Sequence, residues 1–173
     1  MTQSSTYIHK KEAPKVVRCQ IITISDTRDM ESDKSGQIML ELIEASGHEV
    51  AGREIVKDEA VQIREAVLRA SQDDGVDCVL TNGGTGIAKR DVTIEALSEL
   101  YEKEIPGFGE LFRMLSFQED IGSAAILSRA SAGVIGGTPV FSTPGSSGAV
   151  RLAMNKLIIP ELGHLLREIR KDR

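Results

Sequence analysis

Aliphatic, β-branched runs that stop abruptly in glycine- and aspartate-rich loops leave this chain few possible folds. Val16-Val17-Arg18-Cys19-Gln20-Ile21-Ile22-Thr23-Ile24 is almost continuously apolar and ends at Ser25-Asp26-Thr27-Arg28. Val76-Asp77-Cys78-Val79-Leu80-Thr81 runs straight into Asn82-Gly83-Gly84-Thr85-Gly86. Runs of this kind suit strands covered on both faces, as in a parallel sheet. Glu49–Val56 reads as another strand, ending at Asp58, and Thr138–Ser142 as a short one before Thr143-Pro144-Gly145-Ser146-Ser147-Gly148. Helical spacing fills the intervals. It covers Gln37–Ser46, closed by Gly47, and Glu59–Ser71, broken by Gly75. A helix capped by Thr93 carries Leu97, Leu100 and Tyr101, and Phe108–Phe117 forms the next. Ile121–Ser131 reads as helical, Gly133–Gly137 as a turn, and Ala149–Lys171 as a long helix kinked at Pro160. Strands alternating with helices predict an α/β fold with a mainly parallel sheet.

In such a sheet, ligands bind where strands end at their carboxyl edge. The loops at that edge are Ser25–Gly36, Asp58, Asn82–Asp91 and Thr143–Gly148, and they are also the richest in Gly, Ser, Thr and Asp. Gly83, Gly84 and Gly86 allow a tight turn and a close backbone approach. Their amides can form an anion-binding concavity. A plain strand-to-helix turn would use the same residues. The loop matches neither G-x-G-x-x-G nor the P-loop. Arg90 is a forked cation suited to phosphate, and Asp91 is an oxygen donor suited to Mg²⁺. Asp58 could serve as a helix cap or as a metal or substrate contact, and Asp26 and Asp33 pose the same choice. Asp33 could simply precede a helix. Ser146 and Ser147 open a helix whose first amides could hold an anion or simply be capped.

Composition narrows the chemistry. The chain has 173 residues, enough for one domain. Residues 1–15 read as a flexible polar tail and 16–173 as the domain, with no secretory leader before it. A net charge of −5 argues against a sequence-independent nucleic-acid binder. Aromatics at 3% with no Trp argue against base-stacking platforms. No apolar stretch approaches the roughly 18 residues of a membrane span. Cys19 and Cys78 sit in strand runs, where buried thiols in a reducing cytoplasm are expected. His9, His48 and His164 all lie outside the candidate loops, so a Ser-His-Asp triad is not expected. Phosphoryl or nucleotidyl transfer fits that absence. A phosphate monoester, with a second pKa of about 6, is already ionised near neutral pH. Such a reaction asks for positioning and charge neutralisation.

The run Thr81-Asn82-Gly83-Gly84-Thr85-Gly86-Ile87-Ala88-Lys89-Arg90-Asp91-Val92-Thr93 resembles the signature of the MoaB/MogA family of molybdopterin-binding proteins. Ser25-Asp26-Thr27-Arg28, Asp33-Lys34-Ser35-Gly36, Lys57-Asp58-Glu59, Ile105–Arg113 and Pro144-Gly145-Ser146-Ser147 match in family order. The resemblance implies a three-layer α/β/α fold assembled as trimers, often paired into hexamers. It implies adenylyl transfer from Mg·ATP to the terminal phosphate of molybdopterin, with pyrophosphate released. Asp58 and Asp91 take the positions of the catalytic, metal-holding carboxylates. Gly83, Gly84, Thr85 and Gly86, with Ser25, Asp26, Asn82 and Arg90, take the phosphate or nucleotide side. Pro144, Gly145, Ser146 and Ser147 take the pterin or nucleotide end. Other proteins of molybdenum cofactor biosynthesis are implied as partners. A non-catalytic molybdopterin carrier is the alternative. The Phe108, Leu111, Phe112, Met114, Leu115 and Phe117 cluster could be core or interface, and core is the default expectation.

Overall fold

A computed structural model describes residues 14–172. The polar tail lies almost wholly outside them. Four strands run parallel: β1 (Arg18–Ile24), β2 (Glu49–Val56), β3 (Cys78–Asn82) and β6 (Thr138–Thr143). Two more extend the sheet in the order β2-β1-β3-β6-β5-β4: β5 (Ser131–Ile135) pairs antiparallel with β6, and β4 (Lys103–Glu104) pairs antiparallel with β5. The sheet is therefore mostly parallel, as the apolar runs predict.

Strand side chains alternate between two cores, which makes three layers. Cys19, Ile21, Leu80 and Phe141 face helices α1 (Lys34–Ala45), α4 (Pro106–Glu119), α5 (Ser147–Ala153) and α6 (Ile159–Arg170), through Met39, Ile43, Phe112 and Leu162. Ile22, Ile24, Val79 and Val140 face α2 (Ala60–Ser71) and α3 (Thr93–Ser98), through Ile63, Val67 and Leu97. Buried aliphatic area drives this packing, at roughly 25 cal/mol per Å² of apolar surface.

Four expectations are modified locally. The stretch read as the helix Ile121–Ser131 is a 3-10 turn, Gly122–Leu127, followed by β5. The region read as a turn at Gly133–Gly137 contributes the second half of that strand, with only Gly136 and Gly137 turning. A short strand held between β6 and β4 needs little alternation of its own. The long C-terminal helix is interrupted before Pro160, because a π-turn spans Met154–Ile158. Proline lacks an N–H and crowds the carbonyl one turn back, and the helix accommodates it by widening just before it. The Phe/Leu/Met cluster also divides. Phe108 and Phe112 are core, whereas Leu111, Met114 and Phe117 are exposed.

Candidate functional site

Parallel strands bring the ends of β1, β2, β3 and β6 to one edge, and the strand order reverses between β1 and β3, the usual place for a ligand crevice in open α/β sheets. The loops there are tied to one another. Ser25 N donates to Val56 O at 2.9 Å, and Gly83 N donates to Thr143 O at 3.0 Å. Between them lies a cavity of about 560 Å³. Ser25, Thr27 and Arg28 line it from the first loop, Gly83–Gly86 and Asp91 from the second, and Pro144 and Gly145 from the third. The segment around Ile121, Leu127 and Arg129 closes one wall.

Glycine is required here by space and by backbone. Gly83 and Gly84 have φ of 99° and 62°, where side chains are strained. A Cβ on Gly83 would collide with the Ile24 carbonyl, and one on Gly84 with the Asp58 carboxylate and the Thr93 hydroxyl. The expected cap role of Thr93 is corrected accordingly. Val92 occupies the cap position, while Thr93 Oγ1 donates to Gly83 O and Thr93 N to Gly84 O, both at 3.0 Å. The hydroxyl is needed to hold the glycine turn. The main-chain N–H groups of Gly84, Thr85, Gly86 and Ile87 meet no acceptor among the described residues.

Asp58 and Asp91 converge behind this loop. Asp58 does not cap α2, since Glu59 holds that position without a side-chain bond. Its Oδ1 is buried with no hydrogen-bond partner. Burial, and then the charge of Asp91, push its carboxyl above the ordinary range. Asp91 Oδ2 accepts from Ala88 N at 2.9 Å and would lie 2.6 Å from a Cβ on Gly86. Asp26 accepts from Asp58 N at 3.3 Å and ion-pairs with Arg90, bridging the first two loops.

Other residues singled out by sequence sit elsewhere. Asn82 is fully buried under the cavity floor, donating to Thr23 Oγ1 at 3.0 Å and accepting from Ser35 Oγ at 2.7 Å. Ser146 caps α5 by accepting from Ala149 N at 3.3 Å. Ser147 is exposed and borders a second, polar cavity with Lys34 and Arg151. Asp33 caps α1 through Gly36 N and is held by Thr23 and Arg53. Burial alone would raise its carboxyl, but those partners outweigh burial and lower it.

Two arginines at the cavity escaped the sequence reading. Arg28 donates to Ser35 Oγ at 2.5 Å and to Gly145 O at 3.1 Å, linking the first and third loops. Arg129 donates to Thr85 O at 2.9 Å and Gly86 O at 2.7 Å. Arg28 lay within a loop already flagged and could have been weighed as an anion or carbonyl partner. Arg129, remote in sequence from the glycine loop, gave no local signal.

No group of three or more His, Cys, Asp or Glu that could hold a metal gathers among the described residues. Two carboxylates fit Mg²⁺ nonetheless, because that ion usually takes one or two protein carboxylates plus waters and substrate phosphates. The unpartnered Asp58 Oδ1 is the observation that favours such a fit. No helix among the described residues is long and apolar enough to cross a membrane.

Residues 20–164 match the family model described as a probable molybdopterin binding domain. The molybdenum cofactor biosynthesis protein B of Bacillus subtilis (strain 168) is 66% identical over 165 residues, covering 95% of this chain and 97% of that protein. The protein of the same name from Staphylococcus aureus (strain COL) is 52% identical over 159 residues, covering 91% and 94%. A crystal structure of a molybdenum cofactor biosynthesis protein B superposes with a TM-score of 0.90 at 64% identity, covering 92% of this chain and 99% of that one. The tungsten cofactor synthesizing protein MoaB from Pyrococcus furiosus superposes with a TM-score of 0.81 at 38% identity, covering 91% and 99%.

Proposed function

This chain belongs to the molybdopterin-binding family of molybdenum cofactor biosynthesis proteins, and from that premise we propose that it is a molybdopterin adenylyltransferase. Its substrates would be Mg·ATP and molybdopterin. The observation that carries the reading is the half-buried Asp58, its Oδ1 unpartnered, beside Asp91 and directly behind four main-chain amides that meet no acceptor among the described residues. A buried carboxylate without a partner is destabilising, so it is best explained by a cation brought to it.

The terminal phosphate of molybdopterin attacks the α-phosphorus of ATP. A new P–O bond forms, the Pα–O–Pβ bond breaks, and pyrophosphate leaves with the bonding electrons. The attacking phosphate is already ionised near neutral pH, so no side chain need remove a proton. The Gly84–Ile87 amides and Arg28 bind and orient the phosphates. Asp58 and Asp91 would hold Mg²⁺. When bound, that ion neutralises charge on the transferring group. Gly145, brought against Gly83 and Arg28, supports the opposite side of the cavity.

Incubation with molybdopterin and Mg·ATP tests the proposal. It expects adenylyl-molybdopterin and pyrophosphate in equal amounts. Molybdopterin binding without product would replace it with the carrier reading. Self-assembly into trimers or hexamers is proposed too, supported by Phe117 at 60% exposure and Ile126 at 84%, apolar residues that a second copy would cover. Light scattering at the monomer mass of 18.8 kDa would remove it.

A further inference from the structure

Arg129 forms a fork around the glycine loop. Nε donates to Thr85 O at 2.9 Å, and Nη2 donates to Gly86 O at 2.7 Å and Asp91 O at 3.4 Å. Nη1 meets the Glu95 carboxylate, which Nη2 also reaches at 3.2 Å. A guanidinium has five N–H donors, and this pattern leaves one on Nη1 without an acceptor among the described residues. Arg129 therefore lines the cavity as a cation already engaged by the protein.

The consequence follows from peptide geometry. No described peptide bond is cis. In a trans peptide the C=O and the next residue's N–H point in opposite directions across one plane. Drawing the carbonyls of Thr85 and Gly86 onto Arg129 turns the N–H groups of Gly86 and Ile87 away from it. Those two amides are among the four that meet no acceptor among the described residues. A glycine-rich loop without the fork could rotate these peptides at little cost. It would then present a carbonyl, a negative dipole, where a phosphate oxygen must sit.

We propose that Arg129 is a positioning residue for the phosphate site. It fixes the Thr85–Gly86 and Gly86–Ile87 peptides so that their amides face the anion, and it fixes the main chain of Asp91 with them. The inference rests on the phosphate-binding part of the function proposed above. Lysine should not replace it, because one ammonium group cannot span three carbonyls as a planar fork does.

The test is titration of the isotopically labelled full chain with inorganic pyrophosphate, followed through main-chain amide resonances. In the unaltered protein, the Gly86 and Ile87 amides should shift on binding. In R129Q those two shifts should vanish and affinity should fall about tenfold, as expected for losing a charge-assisted set of bonds. R129K should behave like R129Q, and it decides the matter alone if R129Q does not fold. Unchanged shifts and affinity in both variants would overturn the positioning role while leaving the phosphate site in place. Normal binding by R129K with loss in R129Q would make Arg129 a simple cation for the ligand, and would also overturn it. No pyrophosphate binding by the unaltered protein would remove the phosphate reading itself, and this inference with it.

Discussion

Asp58 and Asp77 stand at opposite ends of the same sheet, and their surroundings drive them in opposite directions. Asp77, just before β3, is buried but surrounded by donors. Arg18 N and Nε reach its Oδ2, both at 2.9 Å, while Arg170 Nη2 reaches Oδ1 at 2.7 Å. Burial would raise its carboxyl, yet the two guanidiniums outweigh burial and bring it down to about 2. Asp58, just past β2, has burial and the neighbouring Asp91 against it, and is raised. At these two positions the fold compensates a carboxylate near the amino end of a strand and leaves one uncompensated near a carboxyl end. The charge left uncompensated at Asp58 is what supports the cation site proposed there.

The sharpest way to break this contrast is to neutralise the open end. D91N and D58N should each lower adenylyl transfer by at least ~10², if each holds the ion that stabilises the transferring charge. Measured turnover of molybdopterin with Mg·ATP checks both, and an unaffected variant would assign the wrong carboxylate. Next in size is the closed end. D77N should destabilise the protein by about 2 kcal/mol in urea unfolding, because two guanidiniums and an amide lose their shared acceptor. Its pH dependence has a definite sign. The native carboxyl is depressed, so its contribution is present above the unfolded value of about 3.9 and disappears as pH falls toward about 2. The gap between D77N and the unaltered protein should close over that window.

A smaller effect is expected at the glycine turn. G84A sets a Cβ against Asp58 and Thr93 at a φ of 62°, and should cost about 1–2 kcal/mol of stability by thermal unfolding. Smallest is the stability of the open end itself. Without metal, D58N should raise Tm at pH 7 by about 1 °C, since it removes an uncompensated charge. A raised carboxyl gives the opposite sign from Asp77: the penalty is absent at low pH and grows as pH rises through the folded value. The gain should therefore vanish near pH 4. Added Mg²⁺ should raise Tm of the unaltered protein more than that of D58N.

The four parallel strands and the edge that gathers the loops were legible because long β-branched runs carry their own burial pattern. β5 was not, since Ser131-Ala132-Gly133-Val134-Ile135 is small and glycine-broken and becomes a strand only by pairing with β6. The glycine loop and the Asp58/Asp91 pair could be suspected from composition at strand ends. Which polar residues turn inward could not. Asn82 and Asp33 look like site residues in one dimension, yet they are satisfied by Ser35, Thr23 and Arg53. Arg129 reaches the loop from about forty positions away, a distance no local motif encodes.

The π-turn at Met154–Ile158 bears on how this chain can change length. Each residue in a helix advances the chain by about 100°. The widened turn thus sets the azimuth of everything after it, including Leu162 and Leu166 on the core and Arg170 on Asp77. A π-turn holds one residue more than an α-turn, so deleting one residue within Met154–Ile158 restores an α-turn and keeps all three on target, whereas a deletion within Ile159–Arg170 rotates every later side chain by about 100°. A one-residue deletion should therefore be far more damaging within Ile159–Arg170 than within the widened turn, and thermal unfolding of the two variants checks it.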